Sequence, residues 1–283
     1  MKILVIGGNG FLGRNLSKRF VAEGLDVFSV VRSLSAKQIE GCKYLLVDEV
    51  ISMSKRDCPK FDVIINVAKK RSLGINALSK EVIHQLNFLL PLELIRRTSH
   101  ELTLVLNTST YIQNFQGIKG KVTEDYSASK QSLSEALETD SVKGSYRVLD
   151  LYLFTLYGPG DHATHLIPLL LSALKSQTTL ALSEGLQLTN LLYIEDAVAS
   201  IVKAITHTQF GYTPNYLWKT EYLSLRELVS TIELVAGMKL KVEWGARSYS
   251  GHEMFQAWPI PFQQFPEIIT RTTLLDGLKS LLE

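Results

Sequence analysis

A tyrosine and a lysine four positions apart form the pair of side chains in this sequence best suited to moving a proton. Tyr126 and Lys130 lie in the segment Tyr-Ser-Ala-Ser-Lys, and residues at this spacing share one face of a helix. A free phenol has a pKa of about 10, so it exchanges protons poorly near neutral pH. Because a nearby ammonium group favours the phenolate, we expect Lys130 to lower the pKa of Tyr126. The pair is therefore a candidate catalytic acid and base.

Three hydroxyl side chains are candidates for a group that hydrogen-bonds the reacting oxygen. Thr108, Ser109 and Thr110 follow an apolar segment, 102–106, that we predict as a strand. Such a strand would carry them to the carboxyl edge of a parallel sheet, where ligands bind in folds of this kind. Residue type alone does not choose among the three, and each of them could simply cap the end of the strand.

A glycine-rich turn near the N-terminus is typical of a dinucleotide site. A short apolar segment is followed by Gly7-x-x-Gly10-x-x-Gly13, and a helical pattern with apolar residues four apart begins at Leu12. In such a turn the first glycine permits a tight bend, the second lets the backbone approach a pyrophosphate, and the third lets the helix pack close to the sheet. The N–H groups of Phe11 and Leu12, at the start of the helix, are then expected to face the phosphates.

The residue at the end of the second predicted strand decides which cofactor we favour. This strand, 27–31, runs into Arg32. An NAD site usually has an acidic residue there to hold the ribose 2′-hydroxyl, whereas an arginine suits the 2′-phosphate of NADP. Asp26 precedes the strand and is badly placed for the ribose. We therefore favour NADP(H), with NAD(H) as the alternative if Arg32 is an ordinary surface residue.

Strand and helix patterns alternate through residues 1–165, which predicts an α/β fold of the Rossmann type, a doubly wound parallel sheet covered on both faces. Pro91 lies inside a long helical pattern and predicts a kink or a helix start. The further predicted strands are 43–47, with Asp48 at its end, 61–67 and 148–156, and the predicted helices are 81–98 and 126–137.

Residues 166–283 change in character and predict a smaller C-terminal α/β substrate domain, with some interleaving between the two domains. Its helical patterns are separated by short apolar segments and by a stiff proline-containing loop around Trp258. The predicted elements are a strand at 191–194 and helices at 166–176, 196–205, 223–236 and 274–282.

The composition excludes several classes of function. The chain has 283 residues, of which 46% are hydrophobic, so it can bury a large core. Its net charge of +2 is too small to indicate a nucleic-acid partner. No stretch reaches the roughly 18 consecutive apolar residues of a membrane span, and the N-terminus begins a strand rather than a signal peptide. The two cysteines form no metal-binding pattern, so we expect no metal and a cytoplasmic location.

These motifs resemble those of the extended short-chain dehydrogenase/reductase family, the NAD-dependent epimerase/dehydratase group that acts on nucleotide sugars. The resemblance covers nearly the whole chain. Within the family, the segment 106–110 is most similar to bacterial reductases that make dideoxy sugars such as paratose and abequose. This matching selects Thr110 as the catalytic hydroxyl, whereas a different gap placement selects Ser109. The segments that carry the resemblance are the glycine turn, Asp48, Asn66-Val67-Ala68, Asn87, Thr108-Ser109-Thr110, Tyr126-x-x-x-Lys130, Tyr157-Gly158-Pro159-Gly160-Asp161, Leu166-Ile167-Pro168 and Tyr193-Ile194-Glu195-Asp196.

The resemblance implies a role for each matched residue. Tyr126 is expected to be the acid/base, Lys130 to tune its pKa and anchor the nicotinamide ribose, and Thr110 to stabilise the oxyanion. The implied surroundings of the cofactor are Asp48 at the adenine, Ala68 and Lys69 along the phosphates and ribose, Asn87 as support from the long helix, and Pro159 beside the nicotinamide.

The chain departs from the family pattern where relatives bind the substrate. The family often has an arginine in a Gly-x-Gln-x-Arg-Asp pattern, and here that position is Thr189. Arg247 matches a second family arginine that contacts a diphosphate, so the resemblance implies one cation there instead of two. Ser109 and Thr110 are the other implied substrate contacts. The linker from Thr110 to Tyr126 is also shorter than is usual in the family.

The leading hypothesis is an NADPH-dependent reductase of a nucleotide-activated 4-keto-deoxy sugar, of the kind used in lipopolysaccharide O-antigens. One alternative is an NAD-dependent nucleotide-sugar epimerase or dehydratase. A second alternative is a non-catalytic NADP-binding sensor or scaffold, although a sensor has no use for a tuned phenol. The expected partner is a nucleotide-diphosphate sugar, with no nucleic acid and no membrane, and a pair of long helices would suit a homodimer.

Overall fold

Parallel strands and helices alternate along the chain. The computed structural model describes residues 1–34, 38–71, 78–206, 209–219, 221–266 and 268–283. Within these residues the strands, labelled β1 to β14 in chain order, are Lys2–Ile6, Asp26–Val31, Lys43–Leu46, Val63–Asn66, Leu104–Thr110, Arg147–Leu153, Thr155–Tyr157, Leu180–Ala181, Leu188–Thr189, Leu191–Tyr193, Tyr212–Leu217, Leu223–Ser224, Val242–Glu243 and Gln263–Gln264. The helices, labelled α1 to α9, are Phe11–Ala22, Val47–Ser52, Lys80–His84, Leu90–Thr98, Asp125–Val142, Leu166–Ser176, Ile194–Ala204, Leu225–Ala236 and Leu274–Leu282, and there is also a π-helical turn at Gln85–Leu89 and a 3-10 turn at Tyr111–Gly117.

In the described part of the chain, eight of these strands form one sheet in the order β14-β11-β6-β5-β4-β1-β2-β3. All of its strand pairs are parallel. The strand order reverses between β1 and β4, and ligands of doubly wound sheets bind at the carboxyl ends beside such a switch point. The predicted Rossmann-type fold is confirmed.

Apolar side chains bury both faces of this sheet. On one face Leu16 and Phe20 of α1 pack with Ile201 of α7, and all three are fully buried. On the other face Leu94 of α4 and Leu133 of α5 are buried in a second cluster. Neighbouring residues of β5 alternate between the two clusters, as side chains of a strand must. The sheet is therefore held rigidly, and so is the edge at which its strands end.

The second half of the chain adds a third apolar cluster but also returns to the main sheet. Leu170 of α6, Leu228 of α8 and Leu278 of α9 are fully buried together. Strands β11 and β14 come from the same half of the sequence, yet they extend the eight-stranded sheet beyond β6. A division into units 1–165 and 166–283 stays a prediction, and the two units share this sheet.

Among the predicted strands, two differ most from the structure. Strand β5 continues to Thr110, so the three candidate hydroxyls are its last residues and do not follow it. The segment 148–156, predicted as one strand, is interrupted at Phe154. The chain leaves the main sheet there because β7 pairs with β10 in a separate two-stranded sheet.

Pro91 lies in the first turn of α4, which agrees with the predicted helix start, and a change of helix type takes the place of the alternative kink. The backbone stays helical from Lys80 to Thr98, with the π-helical turn immediately before Leu90. A proline lacks an N–H donor, and its ring collides with the carbonyl four residues earlier, here that of Asn87. The wider π turn relieves this collision, and such turns are frequent at functional sites.

Candidate active site

The ammonium group of Lys130 lies buried where three elements meet. The side chain is 1% exposed, and its Nζ donates to the carbonyl oxygens of Ala68 and Thr108, each at 2.9 Å. Ala68 follows β4, Thr108 belongs to β5, and Lys130 itself comes from α5. Burial lowers the pKa of Lys130 to about 8, against the opposing charge of Asp150 and with a smaller lowering by Lys69. The lysine therefore joins the helix to the carboxyl edge of the sheet.

Tyr126 lies one turn earlier on the same helix and is half-buried. Burial raises the pKa of Tyr126 to about 12, with a smaller lowering by the charge of Arg71 and a raising by Glu124. The prediction that Lys130 lowers this pKa is wrong for the structure described. The reason is that loss of solvent opposes the phenolate, while the ammonium of Lys130 is directed to two backbone carbonyls. Tyr126 is thus a phenol at neutral pH.

Around Tyr126 lies an ion pair that sequence reasoning did not find. The guanidinium carbon of Arg71 is 5.8 Å from the centre of the Tyr126 ring, and Arg71 Nη2 is 3.0 Å from Glu124 Oε1. His252, from the C-terminal half, places Nε2 at 3.4 Å from Glu124 Oε2 and bonds Thr123 through Nδ1 at 2.9 Å. The basic run Lys69-Lys70-Arg71 after the fourth strand was a signal in the sequence. Glu124, the partner of Arg71, lies 53 residues further along the chain.

The three candidate hydroxyls have different surroundings. Thr108 Oγ1 donates to the carbonyl oxygen of Asn66 at 2.9 Å. Ser109 is 4% exposed, and its Oγ donates to Asp150 Oδ1 at 2.7 Å. Thr110 is half-buried at the end of β5, where the strand gives way to the 3-10 turn. Since the other two hydroxyl groups are engaged inside the protein, Thr110 is the candidate best placed to meet a substrate.

Asn87 supports the segment that holds Lys130. It is fully buried in the π-helical turn. Its Oδ1 accepts from the backbone N–H of Lys70 at 2.6 Å, and its Nδ2 donates to the carbonyl of Lys70 at 2.8 Å. The same Nδ2 donates to Ser129 Oγ at 3.2 Å. The supporting role implied for Asn87 therefore has a concrete form, a two-way bond to the backbone beside Ala68.

The glycine turn has the shape that a pyrophosphate requires. Gly7 has φ +92°, and a Cβ there would lie 2.8 Å from the Cα of Ala68, across the switch point. A Cβ on Gly13 would lie 2.4 Å from the carbonyl oxygen of Gly7, so this glycine lets the helix pack against the turn itself. Gly10 precedes α1 without a side-chain cap, which leaves the N–H groups of Phe11 and Leu12 for an anion. The residues fit a dinucleotide.

Other predicted cofactor residues follow the ends of strands β2, β3, β4 and β7. Arg32 is exposed directly after β2, and Asp48 is exposed in the first turn of α2, directly after β3. Pro159 is exposed in the loop after β7, which Arg14 of α1 joins by donating from Nη2 to the carbonyl of Gly160 at 3.3 Å. Desolvation lowers the pKa of Lys69, opposed by the charge of Asp161. The contacts predicted for these residues stay predictions.

The predicted substrate cation lies apart from the main sheet. Arg247 is exposed on the turn after β13, and its backbone N–H donates to the carbonyl of Leu182 at 3.1 Å. Thr189, the departure from the family pattern, lies in β9. Within the described residues there is no cluster of acidic, histidine and cysteine side chains that would bind a metal, and no described helix has the length and apolar character to cross a bilayer.

With this geometry established, comparison with known proteins identifies the family. A model of the NAD dependent epimerase/dehydratase family matches residues 3–217. The chain belongs to this family. The match confirms the resemblance predicted from the motifs, and with it the expected class of NAD(P)-dependent enzyme.

CDP-abequose synthase from Yersinia pseudotuberculosis is 25% identical over 262 residues, which cover 87% of this chain and 88% of that protein. CDP-abequose synthase from Salmonella muenchen is 20% identical, covering 90% of this chain and 88% of that protein.

Solved structures share the fold. The UDP-N-acetylglucosamine 4-epimerase from Methanobrevibacter ruminantium M1, solved in complex with UDP-N-acetylmuramic acid, matches with a TM-score of 0.84 at 14% identity, over 99% of this chain and 96% of that one. The UDP-glucuronic acid 4-epimerase from Bacillus cereus, in complex with UDP-glucuronic acid and NAD, matches with a TM-score of 0.77 at 16% identity, over 99% and 97% of the two chains. At such identities the likeness establishes the architecture alone.

Proposed function

We propose that this chain is an NADPH-dependent reductase that acts on the ketone of a nucleotide-linked 4-keto-deoxy sugar. The buried ammonium of Lys130 carries this assignment. It binds the loop after β4 and the end of β5 at the same point, so Tyr126 and Thr110 are held at one edge of the sheet beside the glycine turn. A phenol, an ammonium and a hydroxyl at such an edge are what carbonyl reduction requires of a protein.

The reaction uses each of these side chains differently. When bound, NADPH supplies the hydride that reduces the ketone carbon. Tyr126 gives its proton to the ketone oxygen, and its raised pKa of about 12 means that it carries this proton at neutral pH. Thr110 donates a hydrogen bond to the same oxygen as negative charge develops there. Lys130 would hold the nicotinamide ribose beside Tyr126.

Reduction begins with Tyr126 protonated, whereas the alternative, epimerisation, begins with Tyr126 as a base. An epimerase must first oxidise a hydroxyl group, and that step needs a base to accept its proton. Burial and the charge of Glu124 both keep Tyr126 protonated. Glu124, the carboxylate whose charge acts on Tyr126 in the described structure, is engaged by Arg71 and His252. An epimerase that keeps its cofactor would be purified with bound NAD, so analysis of the nucleotide released from the denatured protein separates the two activities.

Arg32 supports NADPH as the cofactor. It is exposed at the carboxyl end of β2, and none of the described residues that directly follow this strand, 32–34, is an acid that could hold a ribose 2′-hydroxyl. A guanidinium at this point suits the 2′-phosphate, which it can bind with two parallel hydrogen bonds.

The side chains beyond Thr110 support a deoxysugar as the substrate. Tyr111 stacks on Phe154 with their ring centres 4.4 Å apart, and Tyr222 and Trp218 contact the same phenylalanine at 6.1 and 6.4 Å. Among the described residues, neither Trp218 Nε1 nor the Tyr222 hydroxyl, both buried, has a hydrogen-bond partner. Aromatic walls suit the C–H groups of a deoxygenated ring, and the two unpaired donors suit the oxygens that it keeps. The names of the relatives indicate a CDP-linked sugar.

A thermal-shift screen followed by a turnover assay tests this function. The protein is heated with NADPH or NADH, each alone and combined with CDP-, GDP-, UDP- and dTDP-sugars, because ligands that bind the folded state raise its melting temperature. We expect the largest shift with NADPH and a CDP-sugar, and consumption of NADPH with a CDP-linked 4-keto-deoxy sugar. Micromolar NADPH binding without turnover of any ketone would instead favour the non-catalytic sensor.

A further inference from the structure

A buried carboxylate lies in the sheet below the candidate catalytic residues. Asp150 is in the middle of β6 and is fully buried. Its Oδ2 accepts from the hydroxyl of Tyr212 at 2.6 Å, and its Oδ1 accepts from Ser109 Oγ at 2.7 Å and Asn107 Nδ2 at 2.8 Å. A charge at such a site is costly unless hydrogen bonds compensate for its lost hydration. Packing alone therefore does not explain why a carboxylate is buried at this position.

One chain of hydrogen bonds runs from Asp150 to the ammonium of Lys130. Asn107 donates to Asp150 and accepts at Oδ1 from Asn66 Nδ2 at 2.8 Å. Asn66 Oδ1 accepts from the backbone N–H of Ala68 at 3.2 Å, and the carbonyl of Ala68 accepts from Lys130. Asp150, Asn107 and Asn66 are direct partners in the register of neighbouring strands, so this row crosses β6, β5 and β4 at right angles.

A second chain runs from the same carboxylate to Thr110. Ser109 Oγ, which donates to Asp150, lies 3.0 Å from Ser134 Oγ on α5. Gln113 Nε2 donates to that hydroxyl at 3.3 Å, and Gln113 Oε1 accepts from the backbone N–H of Thr110 at 2.9 Å. Gln113 is fully buried and Ser134 is 2% exposed, so little solvent competes for these bonds.

The charge of Asp150 also acts on Lys130 through space. Burial lowers the pKa of Lys130, and Asp150 is the charge that opposes this lowering, whereas Lys69 from the loop after β4 adds to it. On the helix of Lys130 itself, Tyr126 carries no charge near neutral pH. Asp150 thus acts on Lys130 both through the chain of hydrogen bonds and through its charge.

We infer that Asp150 is a positioning residue for the reaction: one buried carboxylate fixes the Ala68 carbonyl that accepts from Lys130, fixes the backbone of Thr110, and supplies the counter-charge of the ammonium. The inference rests on the proposed function only in assigning Lys130 to the cofactor and Thr110 to the substrate.

The charge of Asp150 is tested with Asp150→Asn, which removes that charge but keeps the shape of the side chain and one of its two accepting oxygens. The readout is the affinity for NADPH measured by fluorescence titration from neutral to alkaline pH, which needs no substrate. We expect the wild-type affinity to fall as Lys130 loses its proton, and the midpoint of this fall to move to lower pH by about one unit in the variant. A uniformly weaker affinity with an unmoved midpoint would overturn the inference.

The second chain of hydrogen bonds, from Asp150 to Thr110, is tested with Ser134→Ala. This variant also tests the inference if Asp150→Asn does not fold. Ser141→Ala is a matched control, because Ser141 is a buried serine of the same helix whose hydroxyl has no hydrogen-bond partner in the described structure. We expect Ser134→Ala to lower kcat by at least about threefold with unchanged NADPH affinity, and the control to leave kcat unchanged. Equal kcat values for the two variants would contradict the positioning role.

A wild-type protein that binds no NADPH would overturn the proposed function, whereas normal binding with an unmoved midpoint overturns only the role of Asp150.

Discussion

The buried ammonium of Lys130 predicts a dependence of stability on pH that a single substitution removes. The pKa of this lysine is about 8 in the folded protein, against an ordinary value of 10.5. Between these two values the unfolded chain binds more protons at this residue than the folded chain does. The free energy of unfolding therefore rises as the pH rises through this window. Lys130→Met removes the titrating group and with it this rise.

The size of the effect follows from the two pKa values. Their difference corresponds to about 3 kcal/mol, at about 1.36 kcal/mol for each pH unit. From about pH 7 to about pH 9.5, Lys130 accounts for a rise of about 2 kcal/mol in the free energy of unfolding. The window ends there because unfolded tyrosines ionise near pH 10. Tyr111 and Tyr126, whose pKa burial raises to about 12, then make the folded state lose stability.

Denaturant unfolding of the wild type and of Lys130→Met at several pH values measures this effect. Titrations shared by the two proteins cancel in the difference between their unfolding free energies. We expect this difference to change by about 2 kcal/mol in favour of the wild type across the window. Lys175→Met, at an exposed lysine of α6, is the control and should show no such change. A constant difference for Lys130→Met would refute the assignment of a buried ammonium.

Two further substitutions test the cofactor site by titration with NADPH and NADH. Arg32→Ala should weaken NADPH binding more than NADH binding, because only NADPH carries the 2′-phosphate, and equal losses would count against Arg32. Gly13→Ala should reduce affinity for both cofactors by at least about tenfold, since its Cβ would lie 2.4 Å from the carbonyl oxygen of Gly7 and would displace the turn. Unchanged affinity in a folded Gly13→Ala protein would show that the turn is not the binding site.

Local patterns in the sequence were sufficient for the parts of the fold that depend on local chemistry. The final helix, 274–282, and the helix 166–176 are predicted with the bounds that the structure has, because apolar periodicity marks both. The turn at Gly7 is predicted as well, since only glycine readily takes its positive φ. Strand β11 was missed, because Pro214 and the polar residues around it hide a strand that the sheet nevertheless pairs.

The parts of the site that depend on long-range pairing could not be predicted in the same way. Whether Ser109 faces a substrate or the interior depends on Asp150, which is 41 residues distant in sequence. The pKa of Tyr126 depends on burial and on Arg71, neither of which is visible in the Tyr-x-x-x-Lys spacing. The sequence did contain one signal for the buried site. Asp150 is an acidic residue within the mostly apolar strand β6, and acidic side chains are rarely buried unless they are paired.

The central claim is that Tyr126 delivers a proton to a ketone reduced at the carboxyl edge of the sheet. Its most direct test is the turnover of NADPH by Tyr126→Phe with a CDP-linked 4-keto-deoxy sugar, alongside titration of the same variant with NADPH. We expect turnover to fall by at least about a hundredfold, with the affinity for NADPH nearly unchanged, because the variant lacks only the hydroxyl group. Turnover at the wild-type rate would contradict the account.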